Sequence, residues 1–448
     1  MKASSKLAIL GGKKVRARPF PCHPVLGSAE EKRVLKVMKS GVLSGFIAKA
    51  GEYFLGGSQV RELENLFSEY FGAKYAMTVN SATAGLHAAL AACNIGPGDE
   101  VIVPPYTMSA SASAVLMTGA VPRFVDISND IFSLDPSLVE KAITLRTKAI
   151  VVVHLFGHPA RMNEILAIAK KRKLKVVEDC AQAPGAKYKE KYVGTLGDVG
   201  IFSFNQHKMI TTGEGGVVIT NDEEIALKVR LVRNHGEAVV EDMKVEDIVN
   251  TLGWNYRMTE LEAAVGIAQF KKLNYLTEHR QELAGYLSLN LKKFKGLTLP
   301  VTLSSCSHTY FLYAIKYDEV QAGIPRELLI KALNAEGIPF AAGYVKPLYL
   351  SPLYQRLTCF GNDGWPFTSI PEAERPSYRK GICPVAEDLY EKELIHTSLC
   401  YFPVSSKDLK DVVRAFDKIY NCSTELIAMK DHLKNETKIR RKKEALRL

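Results

Sequence analysis

Lys208 lies in Ser203-Phe204-Asn205-Gln206-His207-Lys208-Met209-Ile210-Thr211-Thr212-Gly213-Glu214-Gly215-Gly216, a polar stretch that closes the apolar run Val199 to Phe204 and opens another, Val217 to Thr220. A lysine in a short loop between strand-like runs, beside hydroxyls and glycines, suits Schiff-base chemistry. Such an amine must be held near a carbonyl, with its pKa lowered by desolvation or neighbouring cations so that the free base is available. Most loop lysines are only solvated charges, so the reading depends on what else the chain supplies.

Two further stretches bear on it. Asn80-Ser81-Ala82-Thr83 joins a strand-like run, Tyr75 to Val79, to an alanine-rich helical one, Ala84 to Cys93. A turn of this kind gathers free backbone N–H groups and the positive end of a helix dipole at one spot, which suits a phosphate; an ordinary N-cap looks the same. Asp179, in Glu178-Asp179-Cys180-Ala181-Gln182, follows the run Leu174 to Val177. A carboxylate at the end of a buried strand is costly to ionise without a cationic partner. The protonated ring nitrogen of pyridoxal phosphate is such a partner, and the carboxylate keeps that ring an electron sink. Three separate helix caps explain this set poorly.

The elements that must position these residues are short β-rich runs alternating with helical stretches: Tyr75 to Val79, Val101 to Val103, Pro122 to Val125, Ala149 to Val153, Leu174 to Val177, Val199 to Phe204 and Val217 to Thr220. They are apolar on both faces, as buried parallel strands are, so the expected class is α/β with one mainly parallel sheet. Ligands of such sheets bind in loops at the carboxyl ends of strands, where Tyr106, Asp179, Ser203 and Lys208 fall. Thr259-Glu260-Leu261-Glu262 has the form of a capping box. Residues 1–45 read as a lead-in broken by Pro19, Pro21 and Pro24, 46–294 as the large domain, 295–425 as a small α+β domain, and 426–448 as a basic tail.

Length and composition agree with an ordinary globular protein. The chain has 448 residues, 47% hydrophobic and 24% charged, with no apolar run long enough to span a bilayer and no leader pattern, which predicts a cytoplasmic protein. Eight cysteines without a CxxC pair predict reduced, structural thiols. Of the net +11, the stretch Lys430 to Arg447 carries eight Lys/Arg against three Asp/Glu. Such a tail could meet nucleic acid or anionic lipid, but a solvated helical end is the commoner case. The remaining positive charge would suit a diphosphate substrate.

From about Gly11 to about Tyr420 the chain resembles the DegT/DnrJ/EryC1/StrS family of pyridoxal-phosphate sugar aminotransferases, of fold type I. The resemblance implies a large domain with a mainly parallel seven-stranded sheet and a smaller α+β C-terminal domain. It implies that Ala82 and Thr83 give N–H groups to the cofactor phosphate, that Tyr106 stacks on the ring, and that Asp179 pairs with its nitrogen. Gln182 would bond the O3′ oxygen, Ser203 the phosphate, and Lys208 would carry the cofactor. Asn255, in Trp254-Asn255-Tyr256-Arg257-Met258, would reach the phosphate of a second subunit, making a homodimer with shared sites. The implied reaction moves an amino group from glutamate or glutamine to a keto sugar, often nucleotide-linked, for surface polysaccharide or secondary-metabolite amino sugars. Leu10-Gly11-Gly12-Lys13-Lys14-Val15-Arg16 also resembles members acting on cyclitol ketones. A branch of sugar dehydratases carries His at the lysine position; here His207 precedes it and the position itself is Lys208, which favours transamination. A dehydratase, a non-catalytic binding protein and a nucleic-acid role for the tail stay as alternatives.

Overall fold

The structure is a computed structural model that describes residues 6–428. Its centre is a seven-stranded sheet. The strands are β1 (Tyr75–Val79), β2 (Glu100–Val103), β3 (Val121–Phe124), β4 (Thr147–Val153), β5 (Lys175–Asp179), β6 (Val199–Ser203) and β7 (Gly216–Thr220). Their order across the sheet is β1-β7-β6-β5-β4-β2-β3. Only β7 runs against its neighbours, β1 and β6; the other pairings are parallel. Both faces are covered by helices and the strands are almost wholly buried, which accounts for their runs of Val and Ile without polar alternation.

Local sequence sets the joints. Ser81 accepts from the N–H of Ala84 and caps the helix Ala82–Ala92, so the helix begins two residues before the apolar run that announces it. Thr259 and Glu262 form a reciprocal capping box at the start of Glu260–Phe270. The chain then follows the long helix Leu273–Leu291 into a second, four-stranded antiparallel sheet made of Leu297–Thr298, Tyr313–Tyr317, Leu394–Thr397 and Ala341–Ala342.

Two features of the packing are not visible in the sequence. Leu7, with Ile9, Leu10, Val15 and Phe20 beside it, packs into the hydrophobic core of the small domain, held by Glu336, whose carboxylate accepts the N–H of Ala8 (2.8 Å) and of Val15 (3.0 Å). The proline-broken region after Tyr344 packs on the seven-stranded sheet: Tyr349, Tyr354 and Tyr378 surround Phe124 of β3. Asp126 accepts the N–H groups of Val385 (2.8 Å) and Ala386 (3.1 Å), anchoring the way back to the small sheet. No described helix is long and apolar enough to cross a membrane. The stretch Lys430 to Arg447 lies outside the described residues.

Candidate active site

The residues singled out in the sequence come from the ends of adjacent strands. Gly216, first residue of β7, is paired on one side with Val79, last of β1, and on the other with Ser203, last of β6. A Cβ on Gly216 would lie 2.8 Å from the backbone nitrogen of Ala82 and 2.7 Å from the carbonyl oxygen of Phe202. Only a bare backbone fits there, and it brings the N-terminal turn of the helix Ala82–Ala92 close to Ser203. Ala82 and Thr83 stand in the first turn of that helix, where backbone N–H groups have no intrahelical acceptor. Ser203 is buried, and its hydroxyl oxygen accepts from the N–H of Asn205 at 3.3 Å.

Asp179 ends β5, one strand further, and is 5% exposed. Its carboxylate accepts from the Ser111 hydroxyl (2.7 Å) and the N–H of Ala181 (3.1 Å). Both partners are neutral, and no ion pair to Asp179 is found among the described residues. Its charge is acting on Lys208: burial lowers the pKa of that amine, and the Asp179 carboxylate pulls it part of the way back. Directly behind, on the other face of β5, Glu178 is fully buried and accepts from His154 (2.9 Å) and from the N–H groups of Gly194 (2.8 Å), Leu196 (2.7 Å) and Gly197 (2.6 Å). Ala160 N–H donates to Nδ1 of His154, so Nε2 carries the proton that goes to Glu178. With both carboxylate oxygens doubly engaged, this His-Glu-Cys180 cluster is a structural knot that fixes the strand end.

The Lys208 loop is held at its base and its tip. Phe204 N–H donates to Gly215 O (2.9 Å), Thr212 N–H to Phe204 O (3.0 Å), and Lys208 N–H to Asn205 O (2.8 Å). Met209 and Ile210 are buried in the core under the sheet. His23, from the lead-in, donates Nε2–H to Lys208 O at 3.1 Å, while its ring packs on Tyr401 of the small domain. The Lys208 ammonium faces the ring of Phe311, 4.6 Å from its centre. His207 is exposed and turns no nitrogen toward a described partner through its ring.

Gln182 and Tyr106 complete the cluster. Gln182 is oriented at both ends: Oε1 accepts from Phe156 N–H (2.9 Å) and Nε2 donates to the hydroxyl of Tyr344 (3.1 Å). Tyr106 is fully buried, edge-on to Tyr344 with ring centres 6.1 Å apart. The Tyr344 backbone approaches its hydroxyl without a hydrogen bond of standard geometry, and burial raises the pKa of that phenol. The backbone carbonyl of Asn255 accepts from the Asn80 side chain (3.3 Å), next to the Ala82 turn, and its exposed side chain accepts from Arg257 (2.9 Å).

These residues fit pyridoxal phosphate on chemical grounds. A helix turn cleared by Gly216 and flanked by a hydroxyl suits its phosphate, a buried carboxylate with only neutral partners suits its ring nitrogen, and a desolvated amine suits its aldehyde. Ser111, His23 and Phe311 are not marked in the sequence. Their roles depend on contacts between segments far apart in the chain, and no local pattern marks them.

The sequence profile of the DegT/DnrJ/EryC1/StrS aminotransferase family matches residues 46–396. The chain is 38% identical over 335 residues to GDP-perosamine synthase of Caulobacter vibrioides, covering 75% of this chain and 86% of that protein. It is 34% identical over 439 residues to L-glutamine:2-deoxy-scyllo-inosose aminotransferase of Streptomyces lividus, covering 95% of this chain and all of the relative. Among solved structures, DesV of S. venezuelae in complex with a ketimine intermediate superposes with a TM-score of 0.73 at 32% identity, covering 87% of this chain and 94% of DesV.

Proposed function

We infer the function of this chain from its family: it belongs to the DegT/DnrJ/EryC1/StrS aminotransferase family. We propose that it binds pyridoxal phosphate and moves an amino group from glutamate or glutamine to the ketone of a sugar, most often one carried on a nucleotide. The observation that carries this reading is the desolvated Lys208 amine within the field of Asp179, a carboxylate with no bonded cation of its own.

In this reading Ala82, Thr83 and Ser203 hold the phosphate, Tyr106 bounds one ring face, and Asp179 neutralises the ring nitrogen. Gln182, aimed by Phe156 and Tyr344, hydrogen-bonds the ring oxygen. The bound cofactor supplies an electron sink for the carbanion at the donor's α-carbon. Lys208 would do the proton work: as the free amine it would take the donor's α-proton as a base and deliver it, as an acid, to the cofactor carbon that is to hold the amino group. With water completing the release of the donor as a keto acid, the amino group left behind would be available to the sugar ketone, and Lys208 would move the proton in the opposite direction.

A homodimer belongs to the same proposal. Leu35, Met38, Val42, Leu43, Leu252 and Trp254 are exposed, as apolar side chains that await a second subunit would be. Asn255 lies in that region and is our candidate for the residue that completes the partner's phosphate site. Cys22, Cys93, Cys180, Cys306, Cys359, Cys383 and Cys400 are free thiols, in keeping with the reducing cytoplasm.

A second reading has one observation behind it: the inosose aminotransferase is matched along its whole length, including the N-terminal segment, so a cyclitol ketone is an alternative acceptor. One assay separates the readings. The protein is incubated with pyridoxal phosphate, glutamate or glutamine, and either a nucleotide-linked keto sugar or an inosose, and products are read by mass spectrometry. The aminated nucleotide sugar is the expected product; an aminocyclitol would favour the second reading, and a keto-deoxy sugar without amine would overturn transamination.

A further inference from the structure

We propose that Phe311 is a positioning residue for the catalytic amine, the surface on which Lys208 rests whenever it is free; this rests on the role proposed for Lys208 above. The Lys208 nitrogen stands 4.6 Å from the centre of the Phe311 ring, the contact geometry of a cation over an aromatic face. The ring is half-buried, so it borders the site and is not lost in the core.

The segment that carries it is fixed from several sides. Phe311 N–H donates to Phe156 O (2.7 Å) and Thr309 N–H to Gly157 O (2.9 Å). Arg280, buried in the helix Leu273–Leu291, donates to Tyr310 O at 3.0 Å. Tyr310 and Phe156 both take left-handed backbone angles, φ +49° and +56°, which bulky residues adopt at a cost and which persist only where surrounding structure imposes them. The same Phe156 donates its N–H to Gln182. One crossing of two segments, 156–157 and 309–311, therefore aims the Gln182 amide and sets the platform beneath Lys208 together.

The chemistry gives that platform a use. A free Lys208 would accept a proton from the donor's α-carbon, hold it as an ammonium and deliver it to the cofactor carbon that is to carry the amino group, ending as the free amine it began as. Burial disfavours the ammonium and Asp179 favours it. The ring face favours it too, without offering an acceptor that would compete for the proton. The other titratable groups near the loop face elsewhere: His23 is bonded to the Lys208 carbonyl, His207 is exposed, and Arg280 is engaged behind Tyr310.

The test uses the full-length enzyme with its cofactor in the aminated form, so that the lysine is free. Competitive acetylation of Lys208 across pH, read by peptide mass spectrometry, gives the pKa of the amine. It is compared in wild type, in Phe311→Leu, and with one, two or three fluorines on the ring at 311, which weaken the ring face at nearly constant shape. The pKa is expected to fall by about 0.5–1 unit in Phe311→Leu and to step down with each fluorine. The isotope effect of α-deuterated donor should grow in the same order. A pKa that stays fixed through the fluorinated series, whatever happens to activity, would overturn the proposal and leave the ring as packing. If borohydride fails to fix the cofactor to Lys208 in wild type, the role of Lys208 falls first, and the failure is recognisably that one.

Discussion

Asp179 carries the electrostatic part of the account, because its carboxylate is bonded only to a hydroxyl and an N–H. Asp179→Asn keeps the shape and removes the charge. The loss of one charge-assisted hydrogen bond, about 1.5–3 kcal/mol, should lower kcat roughly 10- to 100-fold, while the melting temperature holds. Single-turnover kinetics with the amino donor check it; an unchanged rate would show that the charge is not used. The strand-end placement of Lys208, Asp179 and Ser203 was legible in the sequence because each sits in a local pattern, a strand end followed by a polar turn. Ser111 was not, since it meets Asp179 across 68 residues, and nothing near it marks it.

Between elements, the critical joint is the contact of β7 with the start of the helix Ala82–Ala92. Gly216→Ala would press a methyl against Ala82 N and Phe202 O. Relief requires strand and helix to part, at an expected cost of about 1–3 kcal/mol. Weaker cofactor binding and a lower melting temperature should appear together in titration calorimetry and thermal melts. Full cofactor affinity in this variant would mean that the turn does not hold the phosphate. Strands were read from the sequence to within about two residues, because burial on both faces writes itself as unbroken Val and Ile. The lead-in was not readable in this way. Leu7 and Val15 reach the small-domain core through Glu336, a partner more than 300 residues away, and prolines had hidden any periodicity.

At the scale of the whole molecule, buried histidines tie stability to pH. Burial pushes His87, His158 and His396 down to about 4 and His308 well below its usual value. These rings stay neutral in the folded protein while the unfolded chain takes up protons below about 6.5. Stability is therefore fully present above that pH and is lost as pH falls towards 4, by about 1.4 kcal/mol per unit of depression for each ring. Thermal melts should hold level from pH 7.5 to about 6.5 and fall from there to pH 5, and a profile flat throughout would contradict the burial of these rings. The proposed dimer has its own test in subunit mixing. Inactive Lys208→Ala and impaired Asn255→Ala chains, unfolded and refolded together, should regain up to about a quarter of wild-type activity, because a mixed dimer would hold one intact site. No regain would place Asn255 in its own subunit's site. The role of Lys208 is tested by borohydride reduction of the full-length protein with added pyridoxal phosphate, followed by peptide mapping. The expected result is a cofactor fixed to Lys208 and to no other lysine, and a visible band that bleaches on adding the amino donor. A cofactor that stays free after reduction, or becomes fixed elsewhere, would contradict it.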